Sequence, residues 1–299
     1  MTETRPLSSP VLVLGATGKT GGLVAAGLRD RGVAVRRAAR SLADGPDSAH
    51  FDWRQPATWE RPLTDASALY LVTPMDPDFS PLLVDELITR ATAAGVRRVV
   101  LLSGLSAGYG SAPMLDRERP VRASTLEWTV LRPGAFIQNF AAEPYLTAVS
   151  DGVLRMPLGP GPGAYSAYID VRDIADVAVT ALTRDGHAGH VYDLAGPRAL
   201  SFAEALATIG DAVGRQVRYE HIPLESWLAE QRAAGVPAPA LAWSVETFDA
   251  LGRGAYAPLH DGVRHVLGRE PRDFAAYVRE AAAASTWTWA PAPPGRCAG

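Results

Sequence analysis

Short continuous apolar runs alternate with longer mixed stretches through the first half of the chain. Val11-Leu12-Val13-Leu14 is four apolar residues in a row, two of them β-branched, and predicts a strand buried on both faces. Leu23 to Arg31 then reads as a helix. Val33-Ala34-Val35, Ala68 to Val72, Arg98 to Leu102 and Trp128 to Leu131 predict further strands. Leu82 to Ala94, closed by Gly95, reads as a helix, and Glu118 to Ser124 as a short one despite Pro120. Alternation of this kind predicts an α/β fold: a doubly wound parallel sheet with helices on both faces. Ligands in such sheets lie beyond the carboxyl ends of the strands. The positions to inspect are therefore Arg36 to Arg40, Asp52, Thr73-Pro74, Ser103, and Pro133 onward.

The second half is less regular. Ile169 to Leu182 reads as a strand end entering a helix, with Asp170 or Asp173 able to cap it. Val191 to Leu194 is a short strand. Ser201-Phe202-Ala203-Glu204 has the form of a capping box and opens a helix to about Val213. Helical stretches follow at Leu224–Ala234, Ala240–Leu251 and Pro271–Ala284. The Gly/Pro run at 159–163 is a loop by composition, and the Pro/Ala-rich tail from Ala290 reads as disordered.

Between the first strand and its helix stands Gly15-Ala16-Thr17-Gly18-Lys19-Thr20-Gly21, a GxxGxxG turn. Strand, glycine turn and helix together bring unpaired N–H groups and the positive end of a helix dipole to one point. That point suits a dinucleotide pyrophosphate. The first glycine permits the turn, the second lets backbone approach phosphate, and the third lets helix and strand pack closely. Gly18-Lys19-Thr20 also resembles the end of a nucleoside-triphosphate P-loop. That motif needs glycine five positions before its Gly-Lys pair, and Val13 stands there.

Composition narrows the rest. The 299 residues carry a formal net charge of −3 and are 47% hydrophobic, enough for a sizeable core and too nearly neutral for a general nucleic-acid binder. Cys297 is the sole cysteine, so no internal disulfide forms, and a reducing, cytoplasmic setting is the simplest expectation. Residues Met1 to Pro10 carry no apolar secretory core, and no apolar run approaches the ~20 residues of a membrane helix. The six histidines are scattered, with no spacing that suggests a metal site.

The order and spacing of several segments resemble the NmrA-like group of atypical short-chain dehydrogenases/reductases. These are GATGKTG, VRRAARS, YLVTP, EWTVLRPGAFIQNF, YIDVRDIADVAVTAL, VYDLAGPRALSFAEA, VGRQVRYEHIP and VLGREPRDFAAYV, spread from Val11 to about Ala284. The resemblance implies a Rossmann core over about 10–135, with returning segments at about 167–196. A smaller substrate lobe would occupy about 136–166 and 197–285, with 286–299 as the tail. It also implies NAD(P) binding and reduction of quinones, ketones and related small molecules, although some members are non-catalytic sensors of the NADP(H) ratio.

The cofactor set expected on these grounds is Gly15, Thr17, Gly18, Lys19, Thr20, Gly21, Arg36, Arg40, Asp52, Thr73, Pro74, Ser103, Pro133 and Phe136. NAD-preferring relatives place an acid after the second strand to bind the ribose 2′-OH. Here Arg36, Arg37 and Arg40 stand instead, and guanidinium binds phosphate bidentately, so NADPH is expected over NADH. Arg40 best matches the family's phosphate clamp; a solvated basic face is the alternative. Asp52 falls where similar proteins contact the adenine amino group, or is a surface carboxylate.

Short-chain reductases usually protonate the carbonyl with a tyrosine whose pKa is lowered by a lysine four residues on. No such pair exists here, because Lys19 is the only lysine. In the implied alignment Met114 replaces the lysine and Gly110 the tyrosine, with Tyr109 one position off. The proton would then come from water, from Ser103 or Tyr109, or with help from a phenol on the substrate. Phe136, Asn139, Tyr165, Tyr168 and Trp227 are the candidate substrate contacts, joined by Gln138, Phe140, Tyr145 and Met156. Mixed aromatic and amide groups suit a flat aromatic ligand, although most of these aromatics also suit an ordinary core. The function expected is NADPH-dependent reduction of a ketone or quinone on an aromatic small molecule, favouring a polyketide ketoreductase of antibiotic biosynthesis. An NADP(H)-sensing regulator is the alternative.

Overall fold

The structure, a computed structural model, describes residues 9–76, 78–159 and 165–287; the expectations for the N-terminal segment, the 159–163 loop beyond Gly159, and the tail with Cys297 lie outside them. In chain order the first half runs β1 (Val11–Leu14), α1 (Gly21–Arg29), β2 (Val35–Ala39), β3 (Ser48–His50), α2 (Glu60–Leu63), β4 (Ala68–Val72), α3 (Leu82–Ala93), β5 (Arg98–Leu102), α4 (Ala112–Ala123) and β6 (Glu127–Pro133). The second half runs α5 (Tyr145–Asp151), β7 (Val153–Met156), β8 (Tyr165–Ser166), α6 (Val171–Thr183), β9 (His190–Leu194), β10 (Leu200–Ser201), α7 (Phe202–Val213), β11 (Arg218–His221), α8 (Leu224–Ala233), α9 (Ala238–Gly252), α10 (Gly262–Leu267) and α11 (Phe274–Ala283).

Seven strands form one parallel sheet in the order β3-β2-β1-β4-β5-β6-β9. This is a Rossmann-like doubly wound sheet. Its strand order reverses beside β1, which opens a crevice at the carboxyl ends of β1 and β4. Side chains alternate across the sheet. Val11 and Val13 pack with α1 and α6 on one face, while Leu12 and Leu14 pack with Trp59, Leu87 and Val121 on the other. All four β1 side chains are buried, each contributing roughly 1.5–3 kcal/mol of transfer free energy.

Two expected elements shift. The second strand is Val35–Ala39 and not Val33–Val35, because Val33 N–H still donates to Leu28 O at the end of α1 and Val35 is the first residue in register, opposite Val11. The helix expected from Glu118 begins six residues earlier, at Ala112. Pro113 lies in its first turn, where a missing N–H costs nothing, and the helix continues through Pro120 with Glu118 and Val121 buried. α10 was not expected; six residues are too few to show a helical period.

Most of the remaining segments build a smaller lobe beyond β6; α10, inside the range expected for that lobe, instead packs on α6 and β9 with Val263 in the core of the sheet. The lobe core joins Phe140, Val149, Leu154, Phe202, Leu206, Phe274 and Val278, beside the pairs β7–β11 and β8–β10. Of the two capping candidates, Asp170 caps α6 by accepting from Arg172 N–H. Asp173, fully buried, takes ion pairs from Arg269 and Arg272. Ser201 and Glu204 form the reciprocal box. At the far end Trp287 Nε1 donates to Phe140 O (2.8 Å). Among the described residues, no helix is long and apolar enough to cross a membrane, and no His/Cys/Asp/Glu group could hold a metal.

Candidate cofactor and substrate cleft

Gly15 adopts φ +63°, the left-handed conformation that glycine alone reaches without cost. A Cβ at Gly18 would lie 3.2 Å from Gly15 O, and one at Gly21 would overlap that carbonyl. Gly21 is accordingly a packing glycine and does not line the cleft. The helix the turn feeds has no side-chain cap at Thr20 and no acidic residue in its first turn. An uncapped helix start beneath a tight glycine turn is a cradle that fits an anionic pyrophosphate.

The turn opens into a cleft of about 1380 Å³. Gly15, Thr17, Gly18, Lys19 and Thr20 line its floor; Arg40, Asp52, Trp53 and Arg54 its β2–β3 side; Thr73, Pro74, Ser103 and Pro133 its middle. Phe136, Asn139, Tyr145, Tyr168, Trp243 and Tyr256 line the lobe side. Strand ends scattered over 120 residues of sequence thus meet in one cavity.

Arg40 is exposed at the end of β2, and among the described residues no side-chain partner holds its guanidinium. Arg36 does not join it. It points from mid-strand to the other side, where Nη1 donates to Pro62 O (3.1 Å) and Thr64 O. Arg37 lies within the strand, with its Nε buried and unpartnered among the described residues. The Asp52 carboxylate accepts from Arg54 N–H (2.9 Å) and Gln55 Nε2 (3.1 Å), which fixes it at the cleft wall. Arg54 pairs with Asp76 across the mouth.

Ser103 sits at the carboxyl end of β5 and donates its proton to Glu118 Oε1 (2.7 Å). Glu118 is only 1% exposed and is gripped by Arg132 through Nε (2.7 Å) and Nη2 (2.6 Å). The hydrogen bond to Glu118 holds the Arg132 pKa above its ordinary value. Ser103 therefore offers the cleft its lone pairs; its proton is committed to a charge-assisted bond. Met114, which the family resemblance sets against the dyad lysine, is a buried apolar part of the lining. Tyr109 does not line the cleft: it ends the 3₁₀ turn Leu105–Tyr109, is 44% exposed, and is followed by Gly110 at φ +89°.

At the lobe side, Lys19 Nζ donates to Asn139 Oδ1 (2.9 Å), and partial desolvation lowers its pKa from the usual lysine value. Burial pushes the Tyr145 phenol up to about 12 and Tyr168 well above its ordinary value, so both remain neutral donors near pH 7. Two candidates do not reach the cavity. Tyr165 lies in β8, opposite Ser201 and 40% exposed, and Trp227 packs edge-on against Phe248 at 4.8 Å between α8 and α9. Gln138 bonds Asp170 and Val171 N–H, while Phe140 and Met156 are core. Trp243, Thr247 and Leu251 take the missing places. Their i, i+4, i+8 spacing on the expected helix Ala240–Leu251 was the available signal.

A family model for NAD(P)H-binding proteins matches residues 15–185, the glycine turn through the end of α6 and just beyond. The chain belongs to this NAD(P)H-binding family. An NAD(P)H azoreductase of Xenophilus azovorans is 37% identical to this family member over 289 residues, covering 92% of the chain and 98% of the relative. A (4-alkanoyl-5-oxo-2,5-dihydrofuran-3-yl)methyl phosphate reductase of Streptomyces griseus is 32% identical over 289 residues, covering 92% and 98%. The NADPH-dependent quinone oxidoreductase QOR2 of Escherichia coli, solved with NADPH, shares the fold at a TM-score of 0.77 and 23% identity, covering 90% and 99%. The protein is an NAD(P)H-dependent oxidoreductase.

Proposed function

We propose that the protein is an NADPH-dependent reductase of a ketone or quinone carried on an aromatic small molecule, with a polyketide of secondary metabolism as the favoured substrate and the cytoplasm as its setting. The observation that carries this reading is the two-sided cleft. One side offers a phosphate cradle and the unpaired Arg40; the other is walled by Phe136, Tyr145, Tyr168, Trp243 and Tyr256 with no carboxylate among them. Flat aromatic surface is what such a wall buries well. The azoreductase and the furan phosphate reductase lend support as relatives whose named substrates are small organic molecules.

When bound, NADPH would supply a hydride. The chain's own residues do the rest. The backbone of the glycine turn and the start of α1 would hold the pyrophosphate, Arg40 would hold the 2′-phosphate, and Asp52 would meet the adenine amino group. Ser103, its proton fixed on Glu118, accepts a hydrogen bond from the bound pair. Met114 adds an apolar side chain to the lining and the lobe excludes water. Steady NADPH oxidation across a panel of aromatic ketones and quinones is the expected result. Tight NADPH binding with no turnover of any of them, together with a partner captured in an NADP+/NADPH-dependent way, would replace this reading with that of a sensor.

A further inference from the structure

Lys19 is the only lysine in the chain, and it sits where the two sides of the cleft meet. Its single described partner is Asn139, 120 residues away on the 3₁₀ turn Ile137–Ala141 that leads from β6 into the lobe. An amide oxygen is a neutral acceptor. It orients an ammonium without neutralising it, and two of the three N–H donors remain free. Every other charged group lining the cleft, namely Arg40, Asp52, Arg54, Asp76 and Asp78, belongs to the β2–β4 side. Among the described residues the lobe-side lining is otherwise neutral; Arg117, which does not line the cleft, lies over the Trp243 ring at 5.9 Å. The lobe-side phenols are pushed toward weaker acidity by burial, whereas partial desolvation moves Lys19 toward stronger.

Resting on the reductase reading above, we propose that Lys19, aimed by Asn139, seats the acceptor oxygen of the substrate and gives it its proton. A carbonyl reduced here gains a hydride from NADPH at carbon. The C=O π pair moves to oxygen, the Lys19 N–H bond breaks, and the new O–H bond forms. NADP+ and the alcohol leave, and the Lys19 amine recovers a proton from water. The glycine turn thereby supplies the cation that α4, with Met114 in its place, lacks. The ligand chemistry selected is an aromatic ring bearing an oxygen that is, or becomes, anionic.

Lys19→Met and Lys19→Arg decide this with three measurements: NADPH affinity, kcat at saturating NADPH on an aromatic ketone, and binding to the NADP+ complex of 2-hydroxy-1,4-naphthoquinone, an anion at neutral pH, against uncharged 1,4-naphthoquinone. For Lys19→Met we expect NADPH affinity to stay within about threefold and kcat to fall by about 10²–10⁴, the size of a positioned general acid. The hydroxyquinone anion should bind about ten- to a hundredfold more weakly, as for a lost charge-assisted contact, with the neutral quinone little changed. Lys19→Arg should recover anion binding but not kcat, since guanidinium holds its proton. If Lys19→Met instead weakens NADPH and leaves kcat intact, Lys19 is a pyrophosphate cation and the proposal falls. Equal binding of the anion by both proteins overturns it too. Absence of any turnover in the unsubstituted protein would sink the reductase reading and the proton transfer with it, while the anion comparison still decides whether Lys19 seats the oxygen.

Discussion

At the scale of single residues, cofactor preference turns on one guanidinium. Arg36 is spent on the carbonyls of Pro62 and Thr64, and Arg37 is held within β2. Arg40 alone of the three lines the cleft. Arg40→Ala should weaken NADPH by about 1.5–3 kcal/mol, roughly ten- to a hundredfold, and leave NADH nearly unchanged. Titrating both cofactors into both proteins checks it, and equal weakening would remove Arg40 from the 2′-phosphate site. Tyr109 makes the opposite case. With its ring outside the cavity, Tyr109→Phe should keep kcat within about threefold. A thousandfold loss with NADPH binding intact would place the phenol in the site after all.

Elements were readable to the degree that their signal was local. The runs Val11–Leu14, Ala68–Val72 and Val99–Leu102 fall in strands, as short, β-branched-rich apolar runs suit a sheet covered on both faces. β2 escaped because its charged residues break the pattern, and only the register with β1 shows Val35–Ala39 to be the strand. In the site, the glycine turn and the strand-end residues follow from chain order. Trp227 and Trp243 do not, because both lie on lobe helices and only packing decides which ring faces inward. That difference is measurable. Trp243→Ala should raise KM for an aromatic substrate several-fold with NADPH affinity unchanged. Trp227→Ala should leave KM alone and cost about 0.5–1.5 kcal/mol of stability in a urea titration, through its lost edge-on contact with Phe248. Equal KM effects would mean that α9 does not present the face described.

At the scale of the molecule, the cleft draws on both the sheet and the lobe, so a ligand bound there holds them together. NADPH at a hundred times its Kd should stabilise the fold by about 2.7 kcal/mol by mass action. A thermal melt should then move upward as one transition. A second transition insensitive to NADPH would show that the lobe melts by itself.

The contacts of the last described stretch carry that unity further. Arg269 and Arg272 fasten it to the buried Asp173 of a sheet-covering helix, α11 then packs against α7, and Trp287 closes on the Phe140 carbonyl in the lobe. Residues 269–287 run as a lace threaded first through one half and then through the other. Recombination between relatives is constrained by that threading. A chimera that takes a new lobe for a new substrate must bring residues 269–287 with it, and must keep an acid at 173 to receive them. Substrate range in this architecture is thus free to drift within the walls of the lobe, while residues 269–287 are inherited with the lobe they close.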